Sequence, residues 1–251
     1  MEDTIAIEAP LEIRIKKDGE LMGKSIAVTM RTPGNDAELA LGFLFTEGIL
    51  KDFEVVKECV QVEENVIEVD IRSNAEVNRS QSDRNFYTTS SCGVCGKASI
   101  DAIQVDSSFT LNSYLTKISE SVLFNLQEKL KKEQSAFEAT GGIHAAALFD
   151  LDGIIQELRE DVGRHNALDK LLGASWQAGK MPLSNSILLL SGRASFELVQ
   201  KASMAGIPFI VAVGAPSSLA IELAEEHQHT LVGFLKSDRF NIYTGHERIE
   251  R

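Results

Sequence analysis

SILLLSGRASFELVQKASMAGIPFIVAVGAPSSLAIELAEEHQHTLVGFLKSDR, residues 186–239, is the stretch whose pattern decides the fold. It holds three runs, 187–190, 207–213 and 230–235, that are apolar but for Thr230. The first two are separated by a segment of helical length over 195–205 closed by Gly206, and a second such segment starts at Ser217. Apolar runs without a polar alternate are strands covered on both faces, and their alternation with helices predicts two parallel βαβ units. The expected result is a three-layer α/β domain with helices on both faces of a sheet. Upstream, 143–149 and 154–158 flank the turn Asp150-Leu151-Asp152-Gly153 and predict a hairpin, followed by a helix over 164–172. Leu115, Ile118, Val122, Leu126 and Leu130 recur at spacings of three and four, which predicts a helix starting near Leu111.

The first third reads as a smaller mixed unit. Ile5 and Ile7, then Leu11, Ile13 and Ile15, alternate as strands do before a turn at Asp18-Gly19. Asn35 is an N-cap candidate, with Glu38 placed to close a capping box, for a helix through Leu39, Phe43 and Leu44 that Gly48 ends. Val60, Val62, Val66, Ile67, Val69 and Ile71 predict a hairpin around 63–65, and residues 73–85 are polar and almost free of aliphatic side chains.

Of 251 residues, 37 are acidic and 25 basic, so the net charge of -12 argues against broad, sequence-independent attachment to nucleic acid or an anionic membrane. The longest apolar run, 207–213, is far short of the roughly 20 residues needed to span a bilayer. The first ten residues carry acids where a secretory signal needs bases, so a cytoplasmic protein is expected. Three cysteines, Cys59, Cys92 and Cys95, are too few for a disulfide framework, and the close pair reads as reactive or metal-binding.

Cys92-Gly93-Val94-Cys95 is the sharpest chemical signal. A thiol becomes a nucleophile on ionisation, which a nearby base such as Lys97 favours, and glycines at 93 and 96 leave the sulfurs uncovered. The pattern alone leaves a redox pair, half a zinc site, a sulfur carrier and a structural turn open. A zinc site would need ligands gathered from scattered positions, because there is no second CxxC and the nearest histidine in sequence is His144; no structural metal is expected. A zinc deaminase requires H-x-E and P-C-x-x-C, whereas His144 is followed by two alanines and Cys92 is preceded by Ser91.

Five ordered motifs extend across the chain: Ser91-Cys92-Gly93-Val94-Cys95-Gly96; Thr140-Gly141-Gly142-Ile143-His144; Glu160-Asp161-Val162-Gly163-Arg164-His165-Asn166; Ser191-Gly192-Arg193-Ala194-Ser195-Phe196-Glu197; and Ala215-Pro216-Ser217. Together they resemble the FdhD formate dehydrogenase accessory sulfurtransferases. The resemblance implies a cytidine-deaminase-like α/β domain over 111–251, with a mixed sheet and no deaminase metal. It also implies a smaller α+β N-terminal domain over 1–110, ending in the CxxC loop, and a homodimer. It further implies an enzyme that accepts persulfide sulfur from a cysteine desulfurase on Cys92, assisted by Cys95. The sulfur goes to the molybdenum bis(molybdopterin guanine dinucleotide) needed by formate dehydrogenase. A pure cofactor-binding chaperone and a dithiol oxidoreductase stay open as alternatives.

A guanine-bearing anion calls for backbone N–H groups at strand-to-helix turns, cations and a flat apolar surface. The segment Phe234, Leu235, Lys236, Ser237, Asp238 and Arg239 matches the family's cofactor-binding segment, with Lys236 standing where many relatives carry Arg. Arg193 and His144 are further candidates, and GDP is the natural mimic. Glu160, Asp161, Arg164, His165 and Asn166 form a polar cluster at a helix start and receive no chemical role. Cys59 and Trp176 read as packing residues, and His227 and His229 as surface residues.

Overall fold

The computed structural model describes residues 3–77, 86–87, 109 and 116–251. The expected boundary at 110/111 and both cysteines of the CxxC pair lie outside the described residues. The stretch that decides the fold forms β9 (Ile187–Leu190), α5 (Phe196–Met204), β10 (Phe209–Ala212), α6 (Ser218–Glu226) and β11 (Thr230–Gly233). The three strands pair in parallel, as two βαβ units require. Within each strand the side chains alternate between two apolar layers. Leu188, Leu190, Ile210, Ala212 and Leu231 join the core beneath α5 and α6, while Ile187, Leu189, Phe209, Val211 and Val232 join a second core on the opposite face. A Leu or Ile buried this way contributes about 1.5–3 kcal/mol.

The hairpin β7 (His144–Phe149) and β8 (Ile155–Asp161) extends this sheet on one side and β12 (Asn241–Thr244) on the other, giving the order β12-β11-β10-β9-β7-β8. β7 runs antiparallel to β9, and β12 antiparallel to β11, so the sheet is mixed. α2 (Glu120–Glu133) covers one face through Leu123, Leu126 and Leu130, and α4 (Arg164–Gln177) lies with α5 and α6 on the other. A short α3 (Ser135–Thr140) links α2 to β7.

The first part of the chain builds a separate five-stranded sheet in the order β3-β4-β1-β2-β5, from β1 (Ala9–Lys17), β2 (Lys24–Arg31), β3 (Val56–Glu63), β4 (Val66–Ile71) and β5 (Phe86–Tyr87). Its helix α1 (Asp36–Thr46) lies on α4 at backbone contact distance. A β-carbon at Gly42 would overlap the Asp169 backbone, and one at Gly173 would overlap the Glu38 backbone. Leu39, Leu44 and Phe45 therefore share one continuous core with Leu168, Leu171 and Leu172. Trp176 closes this seam, stacked on Phe45 with ring centroids 5.0 Å apart.

Four local expectations are corrected. The helix expected from Leu111 starts at Glu120, because Ser119 caps it and Ile118 pairs as strand β6 (Ile118–Ser119) with Ile249 of β13 (Ile249–Glu250). The capping box on Asn35 does not form: Asn35 is left-handed at φ 57°, and Glu38 instead forks onto Arg159 of β8 at 2.5 and 2.7 Å. Ile5 and Ile7 precede β1 and are 80% and 67% exposed, so the alternation there marks no strand.

His229 is buried rather than superficial. Its Nδ1–H donates to the Ile207 carbonyl at 2.8 Å, which leaves Nε2 to accept from the Ser203 hydroxyl at 2.5 Å, while His227 Nδ1 lies 3.1 Å from the same hydroxyl. Burial pushes the His229 pKa down to about 3. Between that value and about 6.5 the unfolded chain binds a proton that the folded chain refuses, so stability present above about 6.5 is lost as pH falls. Between pH 7 and 5 the wild type is expected to lose about 2 kcal/mol more than a His229→Gln variant, measured by urea unfolding. Equal losses would overturn this.

Candidate functional site

β9, β10 and β11 all end at one edge of the six-stranded sheet, and antiparallel β7 begins there, with His144 beside Asp161 at the end of β8. This C-terminal edge is where open α/β sheets place ligands. Three loops build it: 191–195 after β9, 213–217 after β10 and 234–239 after β11. They are tied together by backbone hydrogen bonds from Gly214 to Gly192 at 2.9 Å and from Phe234 to Gly214 at 3.0 Å, and by a bridge between Ala194 and Pro216.

Bare backbone at this edge lets the loops close up. A β-carbon on Gly192 would sit 3.3 Å from His144 Nδ1, and one on Gly214 would sit 3.0 Å from Arg193 Cγ. The His144 ring therefore lies against the Gly192 turn, and Ser191 Oγ accepts from the Ala145 N–H at 2.8 Å. Phe234 is held at φ 53°, left-handed for a bulky residue, and the residue is 44% exposed. A non-glycine residue in that region stores on the order of 1 kcal/mol of strain, a feature that clusters at ligand sites.

The structure thus brings His144, Arg193 and the 234–239 segment to one edge. Arg193, Lys236, Ser237, Asp238 and Arg239 are exposed, and the Lys236 N–H donates to the Arg239 carbonyl at 2.9 Å to fold the segment into a tight loop. Leu235 differs from its neighbours: its side chain is fully buried and its N–H donates to Ala212, so it anchors the loop. Cys92 and Cys95 lie outside the described residues. Cys59 packs beside the core, and burial pushes its thiol up to about 12, which keeps it protonated and unreactive.

The polar cluster of the 160–166 motif divides in two. Glu160 accepts the N–H groups of Ala136 and Phe137 at 3.0 and 2.9 Å and so caps α3. Asp161 is fully buried, and its carboxylate accepts from Lys170, Gly163, Thr32 and Asn166 at 2.7–3.2 Å, latching the first sheet to the start of α4. Arg164 and His165, in the first turn of α4, face the site instead. His165 Nε2 lies 3.0 Å from Glu197 Oε2 and 3.4 Å from Ser195 Oγ. Burial, then the nearby Arg164 and His165, hold the His144 pKa below the ordinary histidine range, which favours its neutral imidazole.

Sequence reasoning left Arg164 and His165 without a role and passed over Glu197. The motifs 160–166 and 191–197 contained all three, but only the packing of α4 beside the β9 loop makes them neighbours. The edge thereby offers neutral and cationic donors, a carboxylate, an aromatic ring and close-packed glycines, a set suited to an elongated polar ligand with an aromatic end.

The sequence model of the FdhD/NarQ family matches residues 6–250. A sulfur carrier protein FdhD of Streptomyces avermitilis is 47% identical over 257 residues, covering 98% of this chain and 89% of its own. Those of Mycolicibacterium paratuberculosis and Sulfurisphaera tokodaii are 47% and 45% identical, covering 98% and 99% of this chain and 92% of theirs. A crystal structure assigned as a formate dehydrogenase accessory protein of Desulfotalea psychrophila superposes with a TM-score of 0.76 at 26% identity, covering 100% of this chain and 92% of that one.

Proposed function

The chain belongs to the FdhD/NarQ family, and we propose that it is a sulfur carrier serving formate dehydrogenase, with Cys92 as the residue that bears the sulfur. The observation that carries this reading is the Cys92-Gly93-Val94-Cys95 pair in a chain whose third cysteine, Cys59, is partly buried with its thiol pushed up to about 12. Near full-length identity to proteins named sulfur carriers supports it.

In the proposed reaction the Cys92 thiolate attacks the terminal sulfur of a cysteine desulfurase persulfide. The new S–S bond forms on Cys92, the old one breaks, and the desulfurase departs as its thiolate. Cys95 stands three positions along the chain to assist or resolve. The acceptor is molybdenum bis(molybdopterin guanine dinucleotide), held at the sheet edge with phosphates toward Lys236 and Arg239. The same reading makes 111–251 a cytidine-deaminase-like domain and 1–110 a smaller α+β domain. It pairs two chains as a homodimer and places the protein in the cytoplasm, where its thiols stay reduced.

Incubation with a cysteine desulfurase and cysteine is expected to add one sulfur, roughly 32 Da, to Cys92, and Cys92→Ala is expected to lose both the adduct and sulfur delivery. An unmodified Cys92 under conditions that load the desulfurase would favour a chaperone that binds the cofactor without carrying sulfur.

A further inference from the structure

Edge strands of this protein are unequally protected. β3, at one edge of the first sheet, carries Lys57, Glu58 and Glu63, and β8, at one edge of the second, carries Glu157, Arg159 and Glu160. Charges of this kind keep natural sheet edges from stray pairing. β12, the opposite edge of the six-stranded sheet, reads Asn-Ile-Tyr-Thr, with neither a charge nor a proline, and among the described residues it pairs with β11 alone. A strand of high β propensity with one open side is a template for a further strand.

A groove of about 860 Å³ follows this edge. Phe124 of α2, Phe240, Ile242 and Ile249 form its apolar wall, with the Phe124 and Phe240 rings 5.2 Å apart. Phe240, Ile242 and Ile249 pack against the core on the α2 face, whereas Tyr243, which also lines the groove, packs against the opposite core. The groove therefore wraps the edge of β12 rather than one face of it, and that is the space an added strand fills.

The rim is basic in a chain whose net charge is -12. Arg239, Arg251 and His246 are exposed there, and Glu120 is the one acid among the lining residues. Arg251 makes no ion pair among the described residues, and Arg239 has only Asp238, 4.0 Å away. A second copy laid edge to edge would bring these cations toward their own kind, whereas an acidic segment meets them with opposite charge.

We propose that β12 is a docking edge for a partner protein, which adds an extended acidic segment as an outer strand of the sheet. Main-chain hydrogen bonds supply the pairing, an apolar side chain of the segment meets Phe124, Phe240 and Ile242, and its carboxylates meet Arg239 and Arg251. Arg239 belongs both to this groove and to the 234–239 loop, so a docked partner stands next to the segment proposed to hold the cofactor.

The probe is the blocked peptide acetyl-EVTVTVE-amide, compared with acetyl-KVTVTVK-amide and with the acidic peptide N-methylated along its backbone. Binding is measured by calorimetry, and its place by hydrogen exchange. Wild type is expected to bind the acidic peptide about tenfold more tightly than the basic one, with exchange slowed at 240–244. N-methylation keeps the charges and removes the main-chain donors, so it is expected to weaken binding at least about tenfold. The double variant Arg239→Glu, Arg251→Glu is expected to prefer the basic peptide. Should that variant fail to fold, the methylated peptide on wild type decides alone: equal affinity would mean attraction by charge without strand addition and would sink the proposal. No binding of the acidic peptide at about 1 mM would do the same. Protection of β12 that grows with protein concentration, without peptide, would place a second copy on this edge instead. Displacement of the peptide by GDP would return the groove to the nucleotide site, and either result overturns the docking edge.

Discussion

Gly173→Ala is expected to lower the melting temperature by about 10 °C or more. Here α1 and α4 meet backbone to backbone, with Gly173 placed so that a β-carbon would come within 2.7 Å of the Gly42 nitrogen and overlap the Glu38 backbone. Neither neighbour is the end of a flexible side chain, so the helices must separate. Overpacking a well-filled core costs about 1–3 kcal/mol, and a backbone overlap lies at or beyond the top of that range. For a chain of this size each kcal/mol shifts the melting point by about 2–4 °C. The effect reaches the site, because α4 begins with Arg164 and His165. Nucleotide affinity at a temperature where the variant is still folded is therefore expected to fall as well. A melting point within 3 °C of wild type would show that the helix pair has slack the structure denies.

Lys201→Met is expected to destabilise by about 3–5 kcal/mol, the range for removing one partner of a buried ion pair. Lys201 Nζ lies 3.0 Å from both Asp169 oxygens, 3.1 Å from Glu47 and 2.8 Å from the Thr46 hydroxyl. Burial disfavours its charge, but Asp169 and Glu47 hold it protonated, with its pKa above the ordinary lysine range. Burial likewise raises the Asp169 pKa against the pull of Lys201. Once the ammonium is gone, Asp169 is a buried charge with no counter-ion, and it takes up a proton instead. The loss is thus expected to shrink as pH falls, and the double variant with Asp169→Asn to recover much of it. Denaturant unfolding of the single and double variants at two pH values decides this. Additive losses in the double variant would mean that the two side chains do not act as a pair.

This cluster shows what patterning conceals. Lys201 and Asp169 sit in helices whose sequence reads as an apolar face and a polar face, and a polar face is ordinarily solvent. The polar face of α5 instead meets Thr46 and Glu47 at the end of α1, which together with Asp169 present four oxygens to the ammonium. His229 is a similar case. It follows a helix end, where histidine is normally exposed, but the chain turns back at once into β11 and carries the ring inside, where Ser203 and the Ile207 carbonyl take both nitrogens.

The site was legible in part. His144, Arg193 and the 234–239 segment could be placed at a strand edge because their positions follow from where apolar runs end. His165 and Glu197 could not be joined, since they stand some 30 residues apart and no period connects them. The helix expected from Leu111 erred for a local reason: Ile118 continues the 3–4 spacing of its neighbours, but its backbone pairs with Ile249, a contact made only when the chain's end returns.

By itself the sequence determined the alternation of strand and helix from β9 to β11, the hairpins and the turns, because these depend on side-chain period and on glycine within a few residues. Tertiary structure alone decided which polar groups are buried, which glycines permit two helices to touch, and which side chains share the sheet edge. Those outcomes depend on atoms distant in the chain, and a side chain's role there is set by the charge, hydrogen bond or space that a remote neighbour supplies.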